Sequence, residues 1–157
     1  MKKLLTALIV IAFLSTAAFA ATTDTQTVYY EIDPIVNLQF HTDMTLTIDA
    51  ATAGSQPNTD STVSTYDLTT NETGKKITGY LNVNMPSSTY LSVNLSPPTG
   101  ASSLGETTLT TTAQDLVTGI DTLAEPGNNY TVYLNAAVNA GLPADGSRVI
   151  TFTVADE

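Results

Sequence analysis

The side chains that most often do chemistry are scarce in this chain and do not form catalytic patterns. His41 is the single histidine and there is no cysteine. One chain therefore cannot form a His-based triad, a thiol nucleophile or a site with several His ligands. The serines lie in loop-like segments, and none stands in the G-x-S-x-G pattern of a nucleophile elbow. We expect His41 to be a polar turn residue, and we expect the chain to be neither an enzyme nor a cofactor-binding protein.

Acidic pairs are the remaining candidates for chemistry. Asp121 and Glu125 could in principle act as glycosidase carboxylates or bind calcium. No D-x-D-x-D-G loop accompanies them, so a solvated loop is the expectation and no metal is predicted. Lys75-Lys76 has no phosphate-loop glycines around it and is expected to begin a strand.

The charge balance excludes anionic partners. The chain has 15 acidic and 5 basic residues. Two of the basic residues, Lys2 and Lys3, fall in the leader described next, which leaves Lys75, Lys76 and Arg148. Phosphate binding depends on clustered Lys and Arg, so we expect no nucleic-acid partner and no binding to anionic lipid.

The first 20 residues have the anatomy of a secretory signal peptide. Lys2 and Lys3 precede an almost wholly apolar run, Leu4–Leu14, and Ala18-Phe19-Ala20 is a small-x-small cleavage signal. The apolar run is shorter than the roughly 20 residues that a membrane-spanning helix needs. We expect cleavage before Ala21 and export of a soluble mature chain that does not insert into a membrane.

The mature chain is predicted to consist of strands joined by turns. Thr, Val, Tyr and Ile are frequent, and clusters of Pro, Gly, Asn and Asp interrupt the chain. Apolar residues alternate with period two in most of the predicted strands. These are Thr25–Asp33, Ile35–Phe40, Met44–Ala50, Ser64–Thr70, Lys76–Asn84, Thr89–Leu95, the weaker Thr107–Ala113, Tyr130–Val138 and Arg148–Ala155. Asp115–Ile120 could make one helical turn. This spacing of short strands is typical of a single β-sandwich.

Pro34 divides the first alternating run. Proline cannot donate a ladder hydrogen bond, so it belongs at a strand start, an edge or a break. We therefore predict a hinge at Asp33-Pro34. On the segment before it, the even positions Val28, Tyr30 and Ile32 are uniformly apolar.

Three segments, in the same order, resemble the major pilins of the enteric colonisation-factor fimbriae, which belong to the alternate chaperone–usher class. Residues 26–38, QTVYYEIDPIVNL, are similar to the Thr-Val strand and aliphatic-Asp-Pro step at the start of the mature pilins. Residues 70–77, TNETGKKI, and 109–116, LTTTAQDL, match two further stretches. Two features depart from the family: Tyr30 is bulkier than expected in its first strand, and Asp145-Gly146-Ser147-Arg148 lacks the Tyr that usually precedes its last strand.

The resemblance implies an incomplete Ig-like β-sandwich over residues 34–157, preceded by a signal peptide (1–20) and an N-terminal donor strand (21–33). Val28, Tyr30 and Ile32 would enter the groove of a neighbouring copy, with Asp33 and Pro34 as the hinge. The implied function is the structural shaft subunit of an extracellular fimbria that supports cell adhesion. Its implied partners are other copies of itself in a helical filament, a periplasmic chaperone, an outer-membrane usher and a separate tip adhesin.

Two other interpretations of the residues stay open. Thr25–Asp33 could be an ordinary first strand paired within its own chain. The protein could also be a free secreted β-sandwich that binds carbohydrate through exposed aromatic residues, although its mature aromatics are mainly Tyr and it has no Trp. A small secreted hydrolase is the third possibility.

Overall fold

A computed structural model of the chain describes residues 22–142 and 146–157. The predicted signal peptide and its cleavage site lie outside these residues. The described residues contain nine strands: β1 (Val36–Phe40), β2 (Asp60–Thr70), β3 (Lys75–Leu81), β4 (Thr89–Leu95), β5 (Ser102–Ser103), β6 (Thr107–Thr108), β7 (Gln114–Ile120), β8 (Leu123–Ala136) and β9 (Ile150–Asp156). One short 3-10 helix spans Val138–Ala140. In the described ranges, no helix has the length and apolar character needed to cross a membrane.

The strands form two antiparallel sheets, in the orders β1-β2-β8-β4-β6 and β5-β7-β3-β9. This arrangement confirms the prediction of an all-β sandwich. The first four strands of the larger sheet follow the A-B-E-D order of Ig-like domains, with β3 and β9 in the C and F positions. An Ig-like domain has a further strand, G, beside F. Beside β9 no such strand occurs among the residues that the structure describes.

The core forms because one face of each long strand is apolar and turned inward. In β2 and β4 the buried hydrophobic residues recur at every second position, as period-two alternation requires. The buried hydrophobic residues are Tyr66, Leu68, Ile77, Leu81, Leu91, Val93, Leu95, Leu109, Leu116, Val117, Ile120, Tyr130 and Val132. The predicted inward faces of β2 and β4 are therefore confirmed.

The predicted helical turn at Asp115–Ile120 is wrong, because this segment lies within β7. β7 pairs with β3 and β5, and its Leu116, Val117 and Ile120 are buried. Register shifts interrupt its pairing with β3. These irregularities break the strict alternation along the strand, which explains why period two did not reveal it.

β8 begins seven residues earlier than the predicted Tyr130, because a Pro-Gly pair lies inside it. The β2–β8 register shifts between Tyr66 and Leu68, and Gly127 adopts a φ of 74°, a left-handed conformation that glycine accepts readily. Its amide donates to the Asp67 carboxylate at 2.8 Å. A bulge thus places Pro126-Gly127 within a strand, where sequence patterns indicate a turn.

Three other strand predictions need correction. β3 ends at Leu81, and Val83, predicted to be inward, is 55% exposed. Only Thr107–Thr108 of the Thr-rich segment is paired. The run from Met44 to Ala50 forms no strand.

The chain divides into two compact units, with a boundary between Ile32 and Asp33. The described part of the first unit, residues 22–32, forms no strand. The strand predicted over Thr25–Asp33 is therefore not formed in the single chain. The second unit, Asp33–Glu157, contains the sandwich.

Candidate functional site

The outer edge of β9 is the first wall of the candidate site. All seven residues of β9 pair with β3 on one side. On the other side no strand is hydrogen-bonded to β9 within residues 22–142 and 146–157. Its Ile150, Phe152 and Val154 pack against the core. An exposed strand edge presents unpaired N–H and C=O groups and is a template for another strand.

The opposite wall is the extended segment that follows β1, residues 42–50. Its even positions Met44, Leu46 and Ile48 are half-buried, while the odd positions between them are exposed. The predicted alternation is therefore present without the predicted strand. Local side-chain hydrogen bonds hold the segment instead: the amide of Thr47 donates to the Asp60 carboxylate at 2.6 Å.

Two cavities of about 820 and 850 Å³ lie along residues 42–50. The first reaches Ile150 and Phe152 of β9, and the second lies beside residues 136–138. They share Thr45, Leu46, Met85, Leu134, Gly146 and Arg148, so they are adjoining parts of one groove. We call them the Phe152 cavity and the Val138 cavity, after a residue that lines only one of them. Leu134 packs against the core and lines both cavities, so the groove opens directly onto the hydrophobic interior.

An aromatic cluster closes the groove at the end near β1. The rings of Phe40 and Phe152 are stacked with centroids 3.8 Å apart, and Phe40 also stacks on Tyr66 at 5.2 Å. The edge of Tyr130 meets Phe40 at 4.8 Å. Burial raises the pKa of Tyr130, so its phenol stays neutral at physiological pH. The cluster fixes β1 against β9 and marks where the open part of the groove begins.

Arg148 is the cation of the groove. Lys75 pairs with Glu72 and Asp156, and Lys76 lies 3.1 Å from the Asp115 carboxylate. Arg148 instead donates to two backbone oxygens, those of Asn84 at 3.1 Å and Ser147 at 2.8 Å. It lines both cavities and is half-buried. The middle of a groove with both apolar and polar lining thus holds a guanidinium group.

The predicted donor residues lie in the first unit and are highly exposed. Val28 is 73%, Tyr30 87% and Ile32 74% exposed, and the odd-numbered Tyr29 is 92% exposed. Both faces of this segment are therefore similarly exposed in the single chain.

The predicted hinge has a structural anchor that the sequence did not reveal. The Asn71 side chain donates to the oxygen of Asp33 at 2.9 Å and accepts from the amide of Ile35 at 2.7 Å. The amide of Asn71 also donates to the oxygen of Ile35 at 3.1 Å. Asn71 therefore extends the contacts between β1 and β2 through Ile35 and ties the backbone at Asp33 to the end of β2.

The other candidate residues have structural partners. His41 follows β1 directly but is not in the predicted turn, because its amide donates to the Thr65 oxygen at 3.2 Å. Its Nε2 lies 2.9 Å from the Asp67 carboxylate. Asp121 accepts from the amide of Gly74 and Glu125 accepts from the amide of Thr99. These two carboxylates thus bond to different loops. Within the part of the chain that the structure describes, no three His, Cys, Asp or Glu side chains come together as a metal site would require.

Comparison of the chain with protein-family models and with curated proteins finds no match. The geometry of the groove and of the N-terminal segment must therefore carry the functional interpretation.

Proposed function

We propose that this protein is the structural shaft subunit of an extracellular fimbria, and that each copy lends residues 25–33 to the groove of a neighbouring copy. The observation that carries the proposal is that one chain holds both complementary parts. It has a sandwich with an open edge above an apolar groove, and an exposed segment with an apolar face at period two. Addition of a strand to such an edge is an established mode of recognition.

The dimensions of the two parts are compatible. Nine residues in a strand span about 30 Å, which is longer than the seven-residue β9 edge. The donor can therefore lie beside residues 146–149 and pair with the start of the β9 edge, where Ile150 and Phe152 line the groove. Burial of Val28, Tyr30 and Ile32 would contribute roughly 5–9 kcal/mol.

The hinge favours a neighbouring copy over the same chain as the acceptor. The Asn71 contacts hold Asp33 and Ile35 at the end of β2. The length of β1 separates this hinge from Phe40, which lines the groove. A proline, which fixes its own φ, suits such a stiff exit.

The proposed partners and location are those that the resemblance to the chaperone–usher pilins implies. A subunit with an open apolar groove is an aggregation hazard until the groove is filled. A periplasmic chaperone would cover the groove, and an outer-membrane usher would exchange the chaperone for the next subunit at the cell surface. The sandwich is a single compact unit, which suits a repeating shaft subunit with a separate tip adhesin. No enzymatic role is proposed.

The test is a pair of substitutions on opposite faces of the donor segment. Ile32→Asp would bring a carboxylate into an apolar groove at a cost of several kcal/mol, so we expect surface filaments to disappear. The sandwich does not use this strand, so the periplasmic level of the subunit should persist when the chaperone is present. Tyr29→Asp is the matched control, and it should leave filament yield nearly unchanged.

The readout is the amount of filament sheared from the cell surface, with direct imaging of the cells. Equal loss of filaments from both substitutions would contradict the assigned face. Loss of the periplasmic pool of the Ile32 variant would show that the strand belongs to its own chain. A wild-type protein that never forms filaments would favour the free carbohydrate-binding module.

A further inference from the structure

The groove has a defined centre, where its two cavities meet. Six residues line both cavities, and four of them supply the side chains with which an entering group could pack: Leu46, Met85, Leu134 and Arg148. A fifth, Gly146, has no side chain. A Cβ built there would lie 3.4 Å from Nη1 of Arg148. The absence of a side chain at Gly146 therefore keeps the space beside the guanidinium open.

The donor segment also has a centre, and it is the same residue in either strand direction. Val28, Tyr30 and Ile32 follow one another at every second position, so their side chains are spaced about 6.6 Å apart on one face. Reversing the strand exchanges Val28 and Ile32 but leaves Tyr30 in the middle. The largest donor side chain would thus meet the centre of the groove.

Arg148 makes an aliphatic group a poor occupant of that centre. It stands two residues before Ile150, with the inward parity of Ile150 and Phe152, and it is half-buried. An entering strand would remove water from the guanidinium, which is costly unless the strand offers a compensating contact. A tyrosine ring offers its negative face to the cation, and guanidinium groups stack on such rings.

The remaining chemistry of the centre also suits an aromatic ring with a polar end. The thioether of Met85 can contact the edge of a ring, and Leu46 and Leu134 provide apolar area. A buried tyrosine hydroxyl needs a partner. The guanidinium has five N–H donors, so it can give one to the phenol oxygen beyond its two bonds to backbone oxygens.

We propose that Tyr30 of one copy selects the groove of the next by inserting between Met85 and Arg148, so that this pair determines which strand the groove accepts. The proposal rests on the proposed function and adds to it a specificity-determining contact. A strand with an aliphatic residue at the central position would desolvate Arg148 and leave it only its two bonds to backbone oxygens, so the groove would bind that strand less tightly.

The test is a binding cycle between the mature chain and a fluorescently labelled synthetic peptide of residues 24–34, measured by anisotropy. Replacing Tyr30→Leu in the peptide should weaken binding to the wild-type chain about tenfold. On an Arg148→Met chain, the Tyr30→Leu peptide should bind less than about twofold more weakly than the wild-type peptide, because the cation is gone. Tyr30→Phe, which keeps the ring, should stay within about threefold on the wild-type chain.

The matched control is a Val28→Ala peptide, whose affinity should fall by the same factor on the wild-type chain and on the Arg148→Met chain. Circular dichroism checks that each protein variant is folded. Arg148→Lys, which keeps the charge without the planar group, supplies a second cycle if Arg148→Met does not fold.

Different results would overturn the Tyr30–Arg148 contact and the donor-strand function. The wild-type peptide could bind while Tyr30→Leu weakens peptide binding by the same factor on the wild-type and Arg148-variant chains. That result would refute the Tyr30–Arg148 contact and leave the donor-strand function standing. If the wild-type peptide does not bind at all, the proposed function itself is overturned, together with this contact.

Discussion

At the residue scale, the bulge at Gly127 gives the fold an acid-sensitive contact. The Gly127 amide and then the His41 side chain hold the pKa of Asp67 below its usual value, although partial desolvation opposes them. A carboxyl group with a depressed pKa in the folded state adds stability at neutral pH. That stability is lost as the pH falls from the unfolded-state pKa, about 3.9, through the lower folded-state value.

Asp67→Asn should therefore flatten the acid side of the stability profile. We expect the variant to be less stable than the wild type at pH 7, and we expect the difference to shrink as the pH falls below about 3.9. Urea unfolding midpoints between pH 7 and pH 2.5 provide the measurement. Asp49→Asn, at an exposed position in the groove wall, is the control. A difference that stays constant over this range would show that the carboxylate charge is not involved.

Single residues also show what the sequence could predict of the site. Val28, Tyr30 and Ile32 follow a period-two pattern, so local reasoning identifies their apolar face, while their role as donor residues stays a prediction. Asn71, Met85 and Arg148 matter because of contacts with residues far away in the chain: Asn71 reaches Asp33, and Arg148 reaches Asn84. Nothing in their local sequence indicates these contacts.

At the element scale, the open edge of β9 leads to a prediction about stability. Appending a second copy of Thr25–Asp33 after Glu157 through a flexible linker should fill the groove within one chain. The product should be monomeric and should melt at a clearly higher temperature than the unmodified mature chain, because burial of the three apolar side chains adds several kcal/mol.

The control carries Ile32→Asp in the appended copy only. It has the same linker and nearly the same composition, and it should melt like the unmodified chain. Differential scanning calorimetry and size-exclusion chromatography are the measurements. If all three proteins melt together, the sandwich is already complete and the groove is not an acceptor.

Elements were predicted best where alternation is strict. β4 has the predicted bounds, Thr89–Leu95, and the predicted inward face. β7 and the first half of β8 were missed because bulges and an internal Pro-Gly pair break the period. Residues 42–50 show the converse case, since burial alternates there without ladder pairing. Periodicity reports which face is apolar, whereas strand pairing depends on a neighbour.

At the scale of the whole molecule, the proposed assembly requires a free N-terminal segment. We expect cleavage after Ala20, so that surface material begins at Ala21 and the segment before Pro34 has a free end. Intact mass spectrometry of protein sheared from cells checks this. Ala18→Asp, which should block cleavage at the small-x-small signal, is expected to abolish filaments while the precursor accumulates. Filaments built from uncleaved chain would contradict the donor mechanism.

The Asn71 anchor has a mechanical consequence. A pull on the N-terminal segment along the line of β1 reaches the sandwich at Asp33 and passes into the five-residue β1–β2 ladder. Because the force runs along the strand, the rungs of that ladder share the load in shear and would have to break together. A pull across β1 would instead peel the rungs one at a time. In the proposed fibre, the Asn71 anchor would thus make the β1–β2 ladder carry part of any load that enters through the N-terminal segment.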